Sequence, residues 1–189
     1  QLAAASDSFV DASALSAIGV ALSGPLAARV LGGLAGAATI LLVAASPSLD
    51  KELFAGGAYK YSVYDMNLSV EDVLRRGELV SYAEGRVANV SVKRVASSFS
   101  IAVDGKVDAT SGGDMLTQRL LAHVPFLVSA NPARALVIGL GSGVTASAAL
   151  THDPVSVTAV EISPEVVDVA RRFFDAANDH VLQNPKLKL

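Results

Sequence analysis

Three closely spaced glycines are the residues of this chain whose spacing points most directly to chemistry. Gly139, Gly141 and Gly143 follow the short apolar run 135–138 and precede the helix-compatible segment 144–151. This order predicts a turn from a buried strand into a helix, the place where a parallel sheet meets its ligand. Because glycine has no Cβ atom, the backbone can approach a ligand closely at such a turn.

The spacing of these glycines discriminates between three nucleotide-binding motifs. A P-loop requires a lysine after the last glycine, and none follows here. A dinucleotide fingerprint requires G-x-G-x-x-G, whereas the third glycine here comes one position early, which makes NAD the weakest alternative. The G-x-G-x-G spacing is typical of class I S-adenosylmethionine-type folds. We therefore expect an adenosyl nucleoside as the ligand.

Glu161 supports this expectation, because it ends the next predicted strand, 155–161, about 20 residues beyond the first glycine. A carboxylate there can accept hydrogen bonds from both ribose hydroxyls.

Ser163 and Pro164 then start a helix, as a capping residue and a proline at the first position. The buried face of this helix is expected to contain Val166, Val167, Ala170, Phe173 and Phe174. The structural alternative is an ordinary βαβ unit with an incidental glycine turn.

The region before the glycines has the pattern of a small antiparallel sheet. The segment 69–77 predicts a short helix with Ser69 as its cap and Gly77 as its stop. Alternating, β-branched segments then predict three or four strands joined by hairpins at Glu84-Gly85, Ser97-Ser98 and Asp104-Gly105. The predicted strands are 79–85, 87–95 and 99–105, preceded by an aromatic alternating segment at 59–64.

The apolar run 26–45 has 20 residues, which at about 1.5 Å per residue would span a hydrocarbon core of about 30 Å. Arg29 near one end can extend to the headgroups, and Gly32 and Gly36 form a G-x-x-x-G pair that permits close helix packing in lipid. A membrane helix is therefore our preferred interpretation. An alanine- and glycine-rich soluble helix and a signal peptide are the alternatives.

Composition excludes several function classes. Hydrophobic residues make up 51% of the chain and charged residues 17%, which is more apolar than an ordinary soluble domain. The net charge of −3 and the absence of a dense basic block argue against nucleic acid as a partner. Cysteine is absent, and His123, His152 and His180 are scattered without metal-ligand spacing, so we expect no metal.

From about residue 78 to the end, the chain resembles the spermidine synthase-like family, whose members share the class I S-adenosylmethionine-type fold. The resemblance is carried by "VDGKVDAT" (103–110), "GGDMLTQRLLAHVP" (112–125), "ALVIGLGSGV" (135–144) and "VTAVEISPEVVDVARRFF" (157–174). It implies a β-hairpin domain followed by a Rossmann-like, doubly wound α/β domain. A membrane-fused branch of the family would place 26–45 as the last helix of a bundle.

The resemblance implies a reaction and a donor. The parent protein would transfer an alkyl group from an S-adenosyl sulfonium donor to an amine. The group would be aminopropyl if the donor is decarboxylated S-adenosylmethionine, and methyl if it is S-adenosylmethionine. It also assigns Asp114 to the donor's tail, with helix capping as the alternative role. The chain departs from the polyamine-making pattern, which has glutamine at Asp108, a Tyr-His pair at Thr117-Gln118 and aspartate at Ser142. The alternatives are an S-adenosylmethionine-dependent methyltransferase on the same scaffold and a non-catalytic nucleoside-sensing or interaction module on a membrane bundle. The departures favour the non-catalytic module over polyamine synthesis.

The resemblance further indicates a fragment that lacks its catalytic base. "NPKLKL" (184–189) resembles the start of a third parallel strand, and the family's proton-accepting aspartate would lie beyond Leu189. The catalytic residue is therefore unknown, and this chain alone is expected to be inactive. The predicted parts are a membrane helix and linker (1–50), a β-hairpin domain (51–110) and a truncated nucleoside-binding domain (111–189).

The expected partners are a small-molecule nucleoside donor, a polyamine acceptor, the membrane and a second copy of the chain, which would form a homodimer. The expected location is the membrane, with the soluble part in the cytoplasm.

Overall fold

The computed structural model describes residues 25–46, 50–57, 69–130 and 132–189. Contacts divide the chain into two compact units, 1–49 and 50–189, and each has its own architecture. The strand predicted at 59–64 lies outside the described residues. The three-part division made from the sequence stays a prediction.

The first unit contributes one described helix, α1, which runs from Leu26 to Ala45. These bounds are the predicted ones, because the run contains no proline and only one charged residue, Arg29. Among the described residues, Ala28–Ala45 is the stretch long and apolar enough to cross a membrane. The core helix of a soluble protein or a signal sequence would have the same length and composition. The membrane role therefore stays a prediction.

The described residues of the second unit begin with two short helices, α2 (Lys51–Phe54) and α3 (Val70–Leu74). Ser69 caps α3 as predicted, because its Oγ accepts a hydrogen bond of 3.1 Å from the backbone N–H of Asp72. The chain then leaves the helical region through Gly77, whose φ of +83° is a conformation that L side chains rarely adopt. The predicted helix with its cap and stop is confirmed.

Four antiparallel strands follow in the order β1-β2-β3-β4 and form the hairpin sheet. Their bounds are Glu78–Glu84 for β1, Asn89–Val95 for β2, Ser98–Val103 for β3 and Lys106–Thr110 for β4. The predicted turn at Asp104-Gly105 is present, with φ angles of +47° and +79° that suit a two-residue hairpin turn. The β2–β3 turn lies one residue earlier than predicted, because Val95 pairs with Ser98.

A parallel sheet follows, with its three strands in the order β5-β6-β7. The strands are Arg134–Ile138 (β5), Ser156–Val160 (β6) and Leu187–Lys188 (β7). The helices are Met115–Val128 (α4), Val144–Leu150 (α5) and Pro164–Phe173 (α6), and a 3₁₀ turn covers Val181–Gln183. The expected fold class is confirmed: an apolar helix, an antiparallel hairpin sheet and a Rossmann-like α/β arrangement with parallel strands.

Helix α6 connects the two sheets. Its first turn is capped as predicted, since the Ser163 side chain accepts a hydrogen bond from Val166 N. Its buried face differs from the predicted one, because α6 packs on the hairpin sheet and on β6 at once. Val169 is buried on the hairpin sheet, which the sequence analysis missed, whereas Val167 and Phe173 are only half-buried. The fully buried residues of this segment are Val166, Val169, Ala170 and Phe174.

The described residues cover one face of the parallel sheet and leave the other face exposed. Val157 and Ala159 of β6 point to the covered face, where they are 0% and 1% exposed. On the other face, Leu136 and Ile138 of β5 are 62% and 83% exposed, and Val160 of β6 is 54% exposed. This alternation follows from the two-residue period of a strand.

Candidate functional site

The glycine turn predicted from the sequence lies between the end of β5 and the start of α5. Gly139, Gly141 and Gly143 have φ angles of +84°, +54° and +86°, which favour glycine over any L side chain. Gly139 N donates a hydrogen bond of 2.8 Å to the carbonyl of Val160, the last residue of β6. The turn is therefore held against the carboxyl end of the neighbouring strand.

Glu161 follows β6 directly and is fixed by two backbone N–H groups. Leu140 N donates to its Oε2 at 2.8 Å, and Ser163 N donates to its Oε1 at 2.9 Å. A carboxylate oxygen has two lone pairs, so each of the two oxygens can accept one further hydrogen bond. The glycine turn and the start of α6 thus orient a carboxylate whose remaining acceptor positions suit a vicinal diol.

Beside Glu161 lies a cavity of about 430 Å³ between the hairpin sheet and the glycine turn. This volume lies within the range of about 300–1,000 Å³ that is common for small-molecule sites. Its walls are mostly apolar, and two carboxylates, Asp108 and Glu161, line it. From the hairpin sheet and its loops come Val87, Ala88, Ile101, Val103 and Asp108. From the α/β part come Gly139, Gly141, Glu161, Ile162, Ser163 and Val166.

The structure brings three of the five predicted site residues to this cavity: Gly139, Gly141 and Glu161. Gly143 is buried behind the turn and is not among the residues that line the cavity. A Cβ atom on Gly143 would lie 2.9 Å from Asn178 Nδ2 and 3.0 Å from Val181 Cγ1. The absence of a side chain there is explained by close packing as well as by the positive φ.

Asp114 precedes α4 at the N-cap position, but its side chain makes no capping hydrogen bond. Its carboxylate instead accepts hydrogen bonds from the backbone N–H of Thr110 at 3.0 Å, from Thr110 Oγ1 and from Gln118 Nε2 at 2.9 Å. The helix-capping alternative is therefore wrong for the side chain. Asp114 ties the end of β4 to α4 and does not line the cavity, so its role toward the donor's tail stays a prediction.

A buried polar network supports the glycine turn from behind, and the sequence analysis missed it. Ser142, 1% exposed, donates a hydrogen bond from Oγ to Gln118 Oε1, and Gln118 Nε2 donates to the Thr110 carbonyl at 2.7 Å. Asn178, 0% exposed, donates from Nδ2 to the Ser142 carbonyl at 2.8 Å. The i,i+4 spacing of Asp114 and Gln118 on α4 is the one sequence signal that could have indicated part of it.

The histidines do not approach this cavity. His123 Nδ1 and His152 Nε2 are 2.8 Å apart, and the His152 ring stacks on Phe126 with a centroid distance of 4.6 Å. His180 contacts Asp175 on the surface. In the described part of the chain, no group of three or more histidine, cysteine, aspartate or glutamate side chains is arranged to hold a metal ion.

Comparison with known proteins supports the resemblance drawn from these motifs. Residues 114–189 match the sequence model of the spermine/spermidine synthase domain. The chain is 32% identical over 91 residues to the polyamine aminopropyltransferase of Sulfurisphaera tokodaii, a match that covers 48% of this chain and 30% of that protein. It is 27% identical over 135 residues to polyamine aminopropyltransferase 1 of Pseudomonas aeruginosa, covering 68% and 44% of the two chains.

Solved structures show the same fold. Spermidine synthase from Thermotoga maritima superposes with a TM-score of 0.55 at 22% identity, over 59% of this chain and 39% of that chain. The same values hold for a spermidine synthase in complex with the transition state analogue AdoDATO. The chain spans about a third of the length of most of the curated relatives it matches. These matches make the C-terminal part of the chain similar to the spermidine synthase-like family.

Proposed function

We propose that residues 50–189 form the nucleoside-binding part of an aminopropyltransferase that uses decarboxylated S-adenosylmethionine. The observation that carries this proposal is the orientation of Glu161, whose carboxylate is held by Leu140 N and Ser163 N in a cavity also lined by Gly139 and Gly141. The relatives named as polyamine aminopropyltransferases support the reaction class.

The charge of the cavity favours a cationic donor. Asp108 and Glu161 both line it, and no lysine or arginine is among its described lining residues. Decarboxylated S-adenosylmethionine carries a sulfonium and an ammonium group, whereas S-adenosylmethionine adds a carboxylate that these two acids would repel. Lys106 forms an ion pair with Asp108 and partly neutralises its charge. Discrimination between the two donors is therefore expected to depend mainly on the charge of Glu161, and on Asp108 only if its ion pair with Lys106 opens.

The proposed reaction joins the acceptor amine to the aminopropyl carbon beside the sulfonium. The amine nitrogen forms the new C–N bond, the C–S bond breaks, and 5′-methylthioadenosine leaves with the electron pair. The amine must be neutral to attack, and a carboxylate must take the proton that it releases. We assign that base to none of the described residues, because Asp108 is paired with Lys106 and Glu161 is reserved for the ribose.

Calorimetry and a product assay test this proposal. The chain is titrated with decarboxylated S-adenosylmethionine, S-adenosylmethionine and NAD, and then incubated with each donor and putrescine. Tighter binding of the decarboxylated donor, with spermidine formed, supports aminopropyl transfer. Preference for S-adenosylmethionine with methylated product supports the methyltransferase alternative. Nucleoside binding without any transfer fits both the sensing module and an aminopropyltransferase part to which no base is assigned, and the order of the three affinities then identifies the donor. Absence of nucleoside binding overturns the nucleoside site.

We also propose that α1 anchors the protein in a membrane, with the soluble part in the cytoplasm. The length and composition of Ala28–Ala45 support this role. Assembly into a homodimer is a further part of the proposal, and its test is the molecular mass in solution.

A further inference from the structure

A second cavity, of about 310 Å³, lies on the hairpin sheet on the side opposite the nucleoside cavity. It is bounded by α3 through Val73 and Leu74 and by the sheet through Ala102 and Val107. Consecutive strand residues point to opposite faces, so the neighbours Ile101 and Asp108 line the nucleoside cavity instead. One sheet therefore separates two distinct cavities.

Lys93 supplies this cavity with a half-buried positive charge and hydrogen-bond donors. Its side chain lies half-buried among the apolar lining residues, and its Nζ donates a hydrogen bond to the Leu74 carbonyl near the end of α3. An ammonium group has three N–H donors. The Leu74 carbonyl is the one acceptor that Lys93 Nζ meets within the described residues, which leaves two donors for a ligand.

The surroundings do not neutralise this ammonium group directly. Glu52 is the acid that acts on it electrostatically, but Glu52 Oε2 is already paired with Arg75 at 3.0 Å. Burial lowers the pKa of Lys93 most strongly, Glu52 raises it, and Arg75 lowers it again. A ligand that brings its own negative charge would compensate this desolvation.

We propose that this cavity binds a small monocarboxylate with an aliphatic body. The carboxylate accepts hydrogen bonds from Lys93 Nζ, and the aliphatic part fills the space between α3 and the sheet. The volume is at the lower end of the range for small-molecule sites, about 300–1,000 Å³, which suits a short chain. Arg76 also lines the cavity but is exposed, so Lys93 is the cation nearest the apolar walls. Such walls disfavour a polyanion, because one half-buried cation cannot balance several charges.

Hexanoate is the probe, and saturation-transfer NMR on the full chain is the measurement, with hexylamine as the probe of opposite charge. Hexanoate is expected to bind and hexylamine is not. In Lys93→Met the dissociation constant for hexanoate should rise at least about tenfold, equivalent to about 1.4 kcal/mol. Lys186→Met is the matched control, because it removes the same charge from an exposed ion pair with Asp153. It should leave hexanoate affinity unchanged.

A second variant separates loss of the site from loss of the fold. Val95 lines the cavity and is 49% exposed, so Val95→Phe should fill the opening and weaken hexanoate binding while Lys93 stays in place. Thermal unfolding of each variant reports whether the fold is retained. The proposal is overturned if hexanoate does not bind the parent chain. It is also overturned if hexanoate binds folded Lys93→Met or Val95→Phe as tightly as the parent.

Discussion

Ser142 in the glycine turn and Gln118 in α4 are joined by a buried hydrogen bond, although they lie 24 residues apart in sequence. The resemblance drawn from the sequence implies that both positions depart from the polyamine-making pattern. The contact shows that the two departures are structurally coupled. A short serine hydroxyl meets a neutral amide, so the turn is supported without a buried charge.

This contact predicts non-additive effects on stability. Ser142→Ala leaves Gln118 Oε1 buried without its donor, which should cost about 1–3 kcal/mol of unfolding free energy. Gln118→Met removes the acceptor, and the double variant should be more stable than the sum of the single losses predicts, with a coupling of about 0.5–3 kcal/mol. Chemical denaturation of the four proteins measures the cycle. Simple additivity of the two single losses would show that the contact contributes nothing to stability. Thr117→Ala, on the exposed side of α4, serves as the neutral control.

Glu161 should control nucleoside affinity if it holds the ribose. In Glu161→Gln one acceptor oxygen becomes an NH₂ group that faces a backbone N–H, of Leu140 or of Ser163. Affinity for 5′-methylthioadenosine should fall by about 1.5–3 kcal/mol, because hydrogen bonds to a charged acceptor are lost. Calorimetry measures this change. The matched control is Asp168→Asn, on an exposed carboxylate of α6 that pairs with Arg172. Unchanged affinity in Glu161→Gln would rule out the ribose contact.

Substitution of Gly139 should mainly weaken nucleoside binding, whereas substitution of Gly143 should mainly lower the stability of the fold. Both Gly139→Ala and Gly143→Ala place a Cβ atom at positive φ, at a cost of about 1–2 kcal/mol. Gly143→Ala adds the clash with Asn178 and Val181, whereas a Cβ on Gly139 meets no atom of the described residues within 4 Å. Thermal unfolding should therefore show the lower Tm for Gly143→Ala. Calorimetry should show the larger loss of nucleoside affinity, relative to stability, for Gly139→Ala; the reverse order would contradict the assignment.

The stability of the α2–α3 region should depend on acid pH through Asp50. Its carboxylate accepts a hydrogen bond from Arg75 at 2.7 Å, and this contact holds the pKa of Asp50 below its ordinary value. A folded-state pKa below the unfolded one means that the unfolded chain binds the proton more readily. The stabilising contribution is therefore present above the unfolded pKa, about 3.9, and is lost as pH falls below it. Asp50→Asn can still cap α2 but should lack this acid-dependent loss in denaturation measured from pH 5 to pH 2. A parallel decline in both proteins would contradict the prediction.

Membrane insertion of α1 is tested with a pair of matched lysine substitutions. Leu34→Lys places a charge near the middle of α1, where insertion scales give a cost of about 2.5–3.5 kcal/mol. Leu116→Lys places the same charge on an exposed leucine of α4. After extraction of membranes with carbonate, the parent and Leu116→Lys are expected in the pellet, and Leu34→Lys is expected to shift to the supernatant. Recovery of the parent chain as a soluble monomer without detergent would contradict the anchor.

The features that could be predicted from the sequence are those whose cause lies within a few residues. Ser69 and Ser163 cap their helices because a hydroxyl reaches an N–H three residues on, and Asp104-Gly105 turns because both residues tolerate positive φ. The glycine turn and the two-residue period of the strands are predictable for the same reason. Tertiary structure decided the contacts between distant segments. It buried Val169, turned the Asp114 carboxylate toward Thr110, and packed Gly143 against Asn178. Such contacts depend on how helices and sheets pack against one another, and no local pattern of residue types encodes that geometry.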